Sequence, residues 1–220
     1  MIVCGSTVEG EEPAVLEAFR EVAARFPGAV LVLAPRHPER FAAVAALVGA
    51  ASLNWWQRSA WDGSRPIGGG VFLLDSIGEL GAIYALADVA LVGGSLAPRG
   101  GHNILEPAFY GVPVLVGPHT ENFRDIVALF ASAGALMVVR DAQELARAWL
   151  ALLQNEKGEA KRKIMGRRAA EVVQQHTGAT VRALAEIEKL WGVGRGDDDS
   201  VVRQTAPTAG SEKQPEAAHQ

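Results

Sequence analysis

Short apolar runs alternate along the chain with longer stretches of helical periodicity. These runs are rich in Val, Leu or Ile and almost continuously apolar, which is typical of parallel strands that are buried on both faces. The predicted strands are Ile2–Cys4, Val30–Leu33, a weaker piece at Leu53–Gln57, Val71–Leu74, Val89–Val92, Val114–Val116 and Leu136–Val139. The alternation predicts an α/β fold in which a mainly parallel sheet is covered by helices on both faces.

The intervening stretches predict the helices. The first carries apolar residues on one helical face from Val15 to Phe26, and Pro27 follows where this helix is expected to end. Pro38 can occupy the first turn of a second helix. Further helices are predicted at Glu79–Ala87, at Asn122–Ala133, at Ala142–Gln154, and as a pair between Glu159 and Trp191 with a break near Gly178.

The composition changes near the carboxyl end. From Gly192 to Gln220 the chain is rich in Gly, Asp, Pro, Ser, Gln and Thr, and it has too few large apolar residues to repay the entropy of folding. We therefore expect one domain over residues 1–191 and a disordered tail over residues 192–220. The stretch Gly63–Gly70 predicts a surface loop, because no helix start follows it.

Composition excludes several classes of protein. The net charge of −4 gives no electrostatic footprint for nucleic acid, so no nucleic-acid partner is expected. A single cysteine, Cys4, excludes a disulfide framework within the chain and a cysteine-built zinc site, and it is expected to be a buried strand residue. No run approaches the roughly 20 apolar residues of a membrane-spanning helix.

The segment Gly93–Pro107 follows a predicted strand and leads into a helix. Glycines there let the backbone approach a ligand, and the N–H groups of the next helix favour an anion, so the segment predicts a phosphate-binding corner. Glu106 can bind a ribose diol and Asn103 lies near the helix cap. On spacing alone, a capping role for both side chains is an equal alternative.

Three further strand ends carry polar residues. Arg36 is placed for a phosphate or carboxylate, although a surface ion pair with Glu39 is an open alternative. The turn Asp75–Leu80 can contact a base edge through its backbone, and Ser76 with Glu79 also fits a capping box. His119 and Glu121 follow another strand, and an ordinary capped turn explains them equally well. Because carboxyl ends of parallel strands share one edge of the sheet, these corners predict one crevice.

Other chemistry has weaker support. The five histidines lack metal-site spacing, so no metal is expected. Ser95 lacks the second glycine of a nucleophile elbow. A basic run over residues 157–168 could contact anionic lipid, but a solvated helix face is the simpler interpretation. The tryptophans are expected to fill core or contact surface rather than to stack on a ligand.

Six segments occur in the order GSTVEGEE, PRHPERF, DSIGEL, GGSLAPRGGHNILEP, GVPVLVG and GPHTENFRDI. Together they resemble the carboxyl-terminal domain of the Kdo transferases, which move 3-deoxy-D-manno-octulosonic acid (Kdo) from CMP-Kdo onto a lipid A precursor during lipopolysaccharide biosynthesis. The resemblance covers roughly Val3 to Leu190. It implies the second, Rossmann-like domain of a GT-B glycosyltransferase, which binds the CMP-Kdo donor.

Carried over residue by residue, the resemblance assigns donor binding to three of the corners. The assigned residues are Pro35 and Arg36, then Ile77, Gly78 and Glu79, and then Asn103, Ile104, Leu105 and Glu106. It implies that Arg36 contacts the cytidine or phosphate side and Glu106 the ribose. Ser6 and Glu9 are assigned, less specifically, to the cleft between the two domains. It assigns no catalytic residue, cofactor or metal to this chain.

The resemblance also implies that the chain begins where the family's second domain begins. In the family, the first domain carries the membrane-associated segment, the acceptor site and the glutamate proposed as general base, at the cytoplasmic face of the inner membrane. We therefore expect donor binding without transferase activity from this chain alone. For the complete enzyme the resemblance implies a metal-independent, inverting displacement at the anomeric carbon, with CMP as leaving group.

Two alternatives stay open at this point. One is another nucleotide-sugar enzyme of the same architecture, such as a UDP-dependent glycosyltransferase or an epimerase, in which Glu106 would still hold a ribose. The other is a non-catalytic module that binds a nucleotide or docks onto a membrane partner through residues 157–168. Nucleotide preference and vesicle binding separate the three hypotheses.

Overall fold

The computed structural model describes residues 1–64 and 66–192, and it describes side chains as far as residue 175. Residues Met1–Gly178 form one compact unit, and a second unit comprises Ala179–Gln220. Of the second unit, residues 179–192 are described, and they are helical. The predicted disordered tail lies outside the described residues except for Gly192, which ends a helix.

In the described part of the chain, seven parallel strands form a single sheet. Their spatial order is β3-β4-β2-β1-β5-β6-β7. The strands are β1 (Ile2–Thr7), β2 (Val30–Pro35), β3 (Trp55–Gln57), β4 (Gly70–Leu73), β5 (Val89–Val92), β6 (Val114–Val116) and β7 (Leu136–Val138). The predicted α/β fold with a parallel sheet is confirmed. Strands β1 and β2 extend past their predicted ends, because their pairing continues through a register shift between Gly5 and Thr7.

Among the described residues, seven α-helices connect or follow the strands. They are α1 (Glu12–Arg25), α2 (Phe41–Ala50), α3 (Leu80–Tyr84), α4 (Leu105–Phe109), α5 (Arg124–Ser132), α6 (Ala142–Leu153) and α7 (Asn155–Gly192). Short 3-10 helices precede α2 at Pro38–Arg40 and α5 at Glu121–Phe123. Helix α3 is shorter than the predicted Glu79–Ala87.

The predicted break near Gly178 is wrong, because α7 is assigned as one helix from Asn155 to Gly192. An internal glycine costs a helix only about 1 kcal/mol, which good helix formers on either side can offset.

Alternate strand residues face opposite sides of the sheet. Ile2 and Cys4 pack with α1, α2 and α6, whereas Val3 packs with Tyr84 of α3 on the other face. Cys4 is fully buried, and burial raises the pKa of its thiol. It is the core residue that the sequence predicts. Trp149 of α6 is also fully buried, as expected for a core tryptophan.

The strand order places a switch point between β1 and β5. From β1 the chain builds outward to β2 and β4, and it then returns to add β5, β6 and β7 on the other side of β1. Without β3 this is the strand order of a dinucleotide-binding Rossmann fold. Ligands of such sheets bind beyond the carboxyl ends of the two strands that flank the switch point.

Glycine at the end of β5 allows the two loops at the switch point to touch. A Cβ atom on Gly93 would lie 2.4 Å from the carbonyl oxygen of Ser6 and 2.6 Å from the Cα of Thr7. Both neighbours are backbone atoms at the carboxyl end of β1. This close approach therefore requires a residue without a side chain.

Replacing Gly93 by alanine tests this contact. We expect Gly93→Ala to lower the free energy of unfolding by about 3 kcal/mol, because backbone atoms must move to admit a methyl group. Urea denaturation measures the change. Gly28→Ala is the matched control, since a Cβ there meets nothing within 4 Å. Equal stability of the two variants would contradict the proposed contact.

Candidate functional site

Five loops meet at the carboxyl edge of the sheet. They follow β1, β2, β4, β5 and β6, and the residues that the sequence assigns to a ligand lie in them or in the strand and helix ends that flank them. Ser6, near the end of β1, has a left-handed backbone with φ of 57°. Glu9, in the loop that follows β1, is exposed. The site is therefore built from loops that a rigid sheet holds together.

A buried carboxylate joins the loops after β1 and β5. Glu11 is 1% exposed. Its side chain accepts five backbone N–H groups, from Val8 (3.0 Å), Gly94 (2.8 Å), Ser95 (2.9 Å), Leu96 (2.8 Å) and Ala97 (3.3 Å). Hydrogen bonds to an ionised acceptor are among the stronger ones in proteins, and together they offset the cost of burying this charge.

Glu11 corrects one expectation from the sequence. The N–H groups of residues 94–97 are taken by the protein's own carboxylate, so the predicted phosphate-binding corner is not formed by these residues. Sequence reasoning missed Glu11, because four of its five N–H partners lie at least 83 residues away in the chain. The available signal was a pair of adjacent acids, Glu11 and Glu12, directly after a glycine loop.

The loops after β1 and β2 are joined by a second buried acid. Glu12 has no exposed surface and binds Arg40 through two hydrogen bonds of 2.6 and 3.0 Å. The backbone N–H of Arg36 also donates to the carbonyl of Thr7 at 2.9 Å. The position of Arg36 is thus fixed by its backbone, while its side chain is exposed.

The surface pair between Arg36 and Glu39 does not form. Glu39 lies instead 3.9 Å from Nδ1 of His37. Burial and then the Arg36 guanidinium lower the pKa of His102. His102 lies against Gly94, where a Cβ would come within 2.8 Å of the imidazole, and its Nε2 atom is buried without a hydrogen-bond partner among the described residues. His102 thus packs against the start of its own loop, at the switch point.

The turn after β4 is held by the segment that follows β3. Asp75 accepts hydrogen bonds from Gln57 (2.7 Å) and from the N–H (2.8 Å) and hydroxyl (2.6 Å) of Ser59. Arg58 donates to Glu79 at 2.8 Å, and this bond lowers the pKa of Glu79. These contacts fix both ends of the turn that contains Ile77 and Gly78.

The predicted capping box at this turn is wrong. Helix α3 begins at Leu80, and Glu79 itself occupies the cap position without a capping hydrogen bond. Its side chain is turned to Arg58 instead. Ile77 projects from the turn with 72% of its surface exposed, and Gly78 has a φ of 90°. An exposed apolar side chain beside a tight turn can pack against a flat ligand such as a base.

The loop after β5 ends at a very short helix. Asn103 caps it by accepting the N–H of Leu105 at 3.0 Å. Glu106 is exposed and lies in the first turn of α4. The side chain of Ile104 is buried, as is Pro35 at the end of β2, so only their backbones can face a ligand.

The loop after β6 closes the far side of the crevice. The hydroxyl of Ser95 donates to Val92 and accepts the N–H of Gly117 at 2.8 Å. Ser95 is fully buried and hydrogen-bonded, which excludes it as a nucleophile. His119 and Glu121 form a partly exposed pair at 3.6 Å.

Within the described residues, no cluster of three or more His, Cys, Asp or Glu side chains could hold a metal ion. The same residues include no helix that is both long and apolar enough to cross a membrane.

The chain resembles known proteins both in sequence and in fold. Residues 14–172 match the model of the glycosyl transferases group 1 family. This chain belongs to that family. The C-terminal CMP-Kdo binding domain of WaaA from Acinetobacter baumannii shares 39% identity with it at a TM-score of 0.72, over 79% of this chain and 88% of that one. The match confirms the predicted GT-B type of fold and the likeness to Kdo transferases.

Two longer proteins are also similar to this chain in sequence. The 3-deoxy-D-manno-octulosonic acid transferase of Bordetella pertussis is 40% identical over 87% of this chain and 45% of its own length. The corresponding transferase of Haemophilus influenzae is 38% identical over 83% of this chain and 42% of its own length. The chain thus spans less than half the length of these two relatives.

Protonation of Asp75 should weaken the turn after β4. Burial raises the pKa of this carboxyl, but the hydrogen bonds from Ser59 and Gln57 together outweigh it and lower the pKa. The ionised form therefore stabilises the fold above about pH 4, the ordinary value for aspartate, and this stabilisation disappears as the pH falls through the lower folded-state pKa.

We expect Asp75→Asn to reduce the free energy of unfolding by about 1 kcal/mol at pH 7, and the gap from the parent to close in acid. Urea denaturation of both proteins, from pH 7 down to the lowest pH at which they fold, measures this difference in the free energy of unfolding. A gap that stays constant over this range would contradict a role for the ionised form.

Proposed function

We propose that this chain is the donor-binding half of a glycosyltransferase that transfers Kdo from CMP-Kdo to a lipid A precursor in lipopolysaccharide biosynthesis. The observation that carries the proposal is the 39% identity to a CMP-Kdo binding domain, of which this chain covers 88%. The geometry supports it, because the five loops surround the switch point at which such sheets bind nucleotides.

The donor contacts are assigned to three corners. Arg36 is exposed beside the crevice and supplies a permanent positive charge for the phosphate. The turn Ile77–Glu79 faces the base, with Arg58 and Asp75 fixing its shape. Asn103 holds the start of α4, where the exposed carboxylate of Glu106 can accept both hydroxyl groups of a ribose. The remaining assigned residues contribute backbone next to these side chains; they are Pro35, Ile104 and Leu105.

The reaction proposed for the complete enzyme is an inverting displacement at the anomeric carbon of Kdo. Negative charge develops on the departing phosphate, and Arg36 would stabilise that charge in the crevice. We assign the acceptor site and the general base to the part of the longer relatives that this chain does not cover. The complete enzyme would act at the cytoplasmic face of the inner membrane, where its acceptor lipid lies.

Ion pairs occupy part of the basic run over residues 157–168 on α7. Three of its side chains bind acids: Arg162 with Asp88, Lys163 with Glu159 and Arg167 with Glu171. The other three, Lys157, Lys161 and Arg168, line a groove with the apolar Ile164 and Met165. We propose that this groove, rather than the whole run, is the surface that would contact anionic lipid.

Nucleotide binding tests the donor site. Calorimetry should show binding of CMP in preference to UMP and UDP, which also separates this proposal from a UDP-dependent enzyme. We expect Arg36→Ala and Glu106→Ala each to weaken CMP binding by at least about tenfold, since a hydrogen bond to a charged group contributes about 1.5–3 kcal/mol.

Two exposed residues of α7 provide matched controls for this experiment. Arg167→Ala and Glu171→Ala remove the same charges from the helix surface. They should leave CMP affinity unchanged. Tighter binding of UDP than of CMP, or equal loss of affinity in all four variants, would contradict the assigned site.

Transfer is a separate prediction. We expect these 220 residues, mixed with CMP-Kdo and a lipid A precursor, to release no Kdo-modified lipid, because the base and acceptor site are assigned elsewhere. Mass spectrometry of the lipid measures the product. The same chain should show CMP-Kdo binding by calorimetry, which controls for an inactive preparation. Formation of Kdo-modified lipid would show that the chain carries its own base.

A further inference from the structure

The backbone at the end of β5 presents four successive N–H groups, from Gly94 to Ala97. Runs of N–H groups that converge in this way bind anions, and in α/β sheets they do so at the switch point. Strand β5 is one of the two strands that flank the switch point here. By position and geometry this is the place where a nucleotide's phosphates would bind.

In this protein the anion that binds these N–H groups is a carboxylate of the protein itself. Glu11 accepts all four of these N–H groups, and it also accepts the N–H of Val8 from its own loop. With 1% of its surface exposed, the carboxylate lies beneath the loop and not in the crevice. As long as this carboxylate is in place, these N–H groups are not free to bind a ligand in the crevice.

Arg36 is exposed at the end of β2 and supplies a positive charge beside the crevice, whereas Glu11 is buried beneath the loop after β5. A phosphate next to Arg36 is balanced by the guanidinium. A phosphate placed closer to the loop after β5 meets backbone N–H groups that are already bonded to Glu11, and it lies above that buried negative charge.

We propose that Glu11 makes the donor site specific for nucleotides with a single phosphate, because its carboxylate takes the N–H groups that a second phosphate would otherwise bind. This inference rests on the proposed function, in which the donor is a cytidine monophosphate sugar. It adds a determinant of specificity that lies outside the contact surface itself. Glu11 is a positioning residue, since it acts through the loop.

Calorimetry with CMP and CDP tests the proposal, because the two ligands differ only by the second phosphate. The unmodified chain should bind CMP at least about tenfold more tightly than CDP, the equivalent of one hydrogen bond to a charged group. In Glu11→Ala the four N–H groups lose their acceptor, and we expect the ratio of the two dissociation constants to fall to within about threefold.

Glu12→Gln is the matched control. Glu12 is the adjacent residue and is equally buried, but it binds Arg40 and not the loop after β5. It should keep the parent ratio even if the protein is less stable. Inorganic phosphate provides a second readout: it should raise the melting temperature of Glu11→Ala and leave that of the parent and of Glu12→Gln unchanged, because only the first has an empty anion site.

Glu11→Gln covers the case in which the alanine variant does not fold. The amide keeps the shape and one acceptor oxygen, so the ratio should shift in the same direction by a smaller factor. Equal binding of CMP and CDP by the parent, or a parent-like ratio in folded Glu11 variants, would overturn the inference and leave the proposed function intact. Failure of the parent to bind either nucleotide would overturn the proposed function itself.

Discussion

A buried carboxylate with five N–H partners is the constraint on which the other loops depend. Glu11 belongs to the loop after β1, and four of its donors belong to the loop after β5, 83 or more residues away in sequence. Burying an ion is costly, so the two loops must keep these hydrogen bonds or lose stability. The relative position of the two loops at the switch point is fixed by this requirement.

Further hydrogen bonds attach the other loops to the loops after β1 and β5. Ser95, which is itself one of the Glu11 donors, hydrogen-bonds the start of the loop after β6, and Arg40 ties the loop after β2 to Glu12. The turn after β4 is fixed from the outside by Asp75 and Arg58. The crevice is therefore largely preformed, and a ligand has little backbone left to order on binding.

The fold could be predicted from the sequence because its strands are short, apolar and buried on both faces. Strands β5 and β6 begin and end where the apolar runs do. The exposed residues predicted for the site lie in the connections that follow the strands, Arg36 directly after β2 and Glu106 in the first turn of α4. The pair of adjacent acids marks Glu11 in the sequence, but its role depends on contacts with a distant loop and was not predicted. The continuation of α7 through Gly178 was not predicted, because a glycine by itself favours a break there.

The edge strands of the sheet affect the tendency of the protein to aggregate in concentrated solution. Strands β3 and β7 are the two edges, and each is only three residues long. A flat, long edge would offer unpaired N–H and C=O groups to another chain and promote aggregation. Here each edge is too short to template a new strand. Partly exposed apolar residues such as Trp55 and Val138 can thus lie at the edges without recruiting a further sheet.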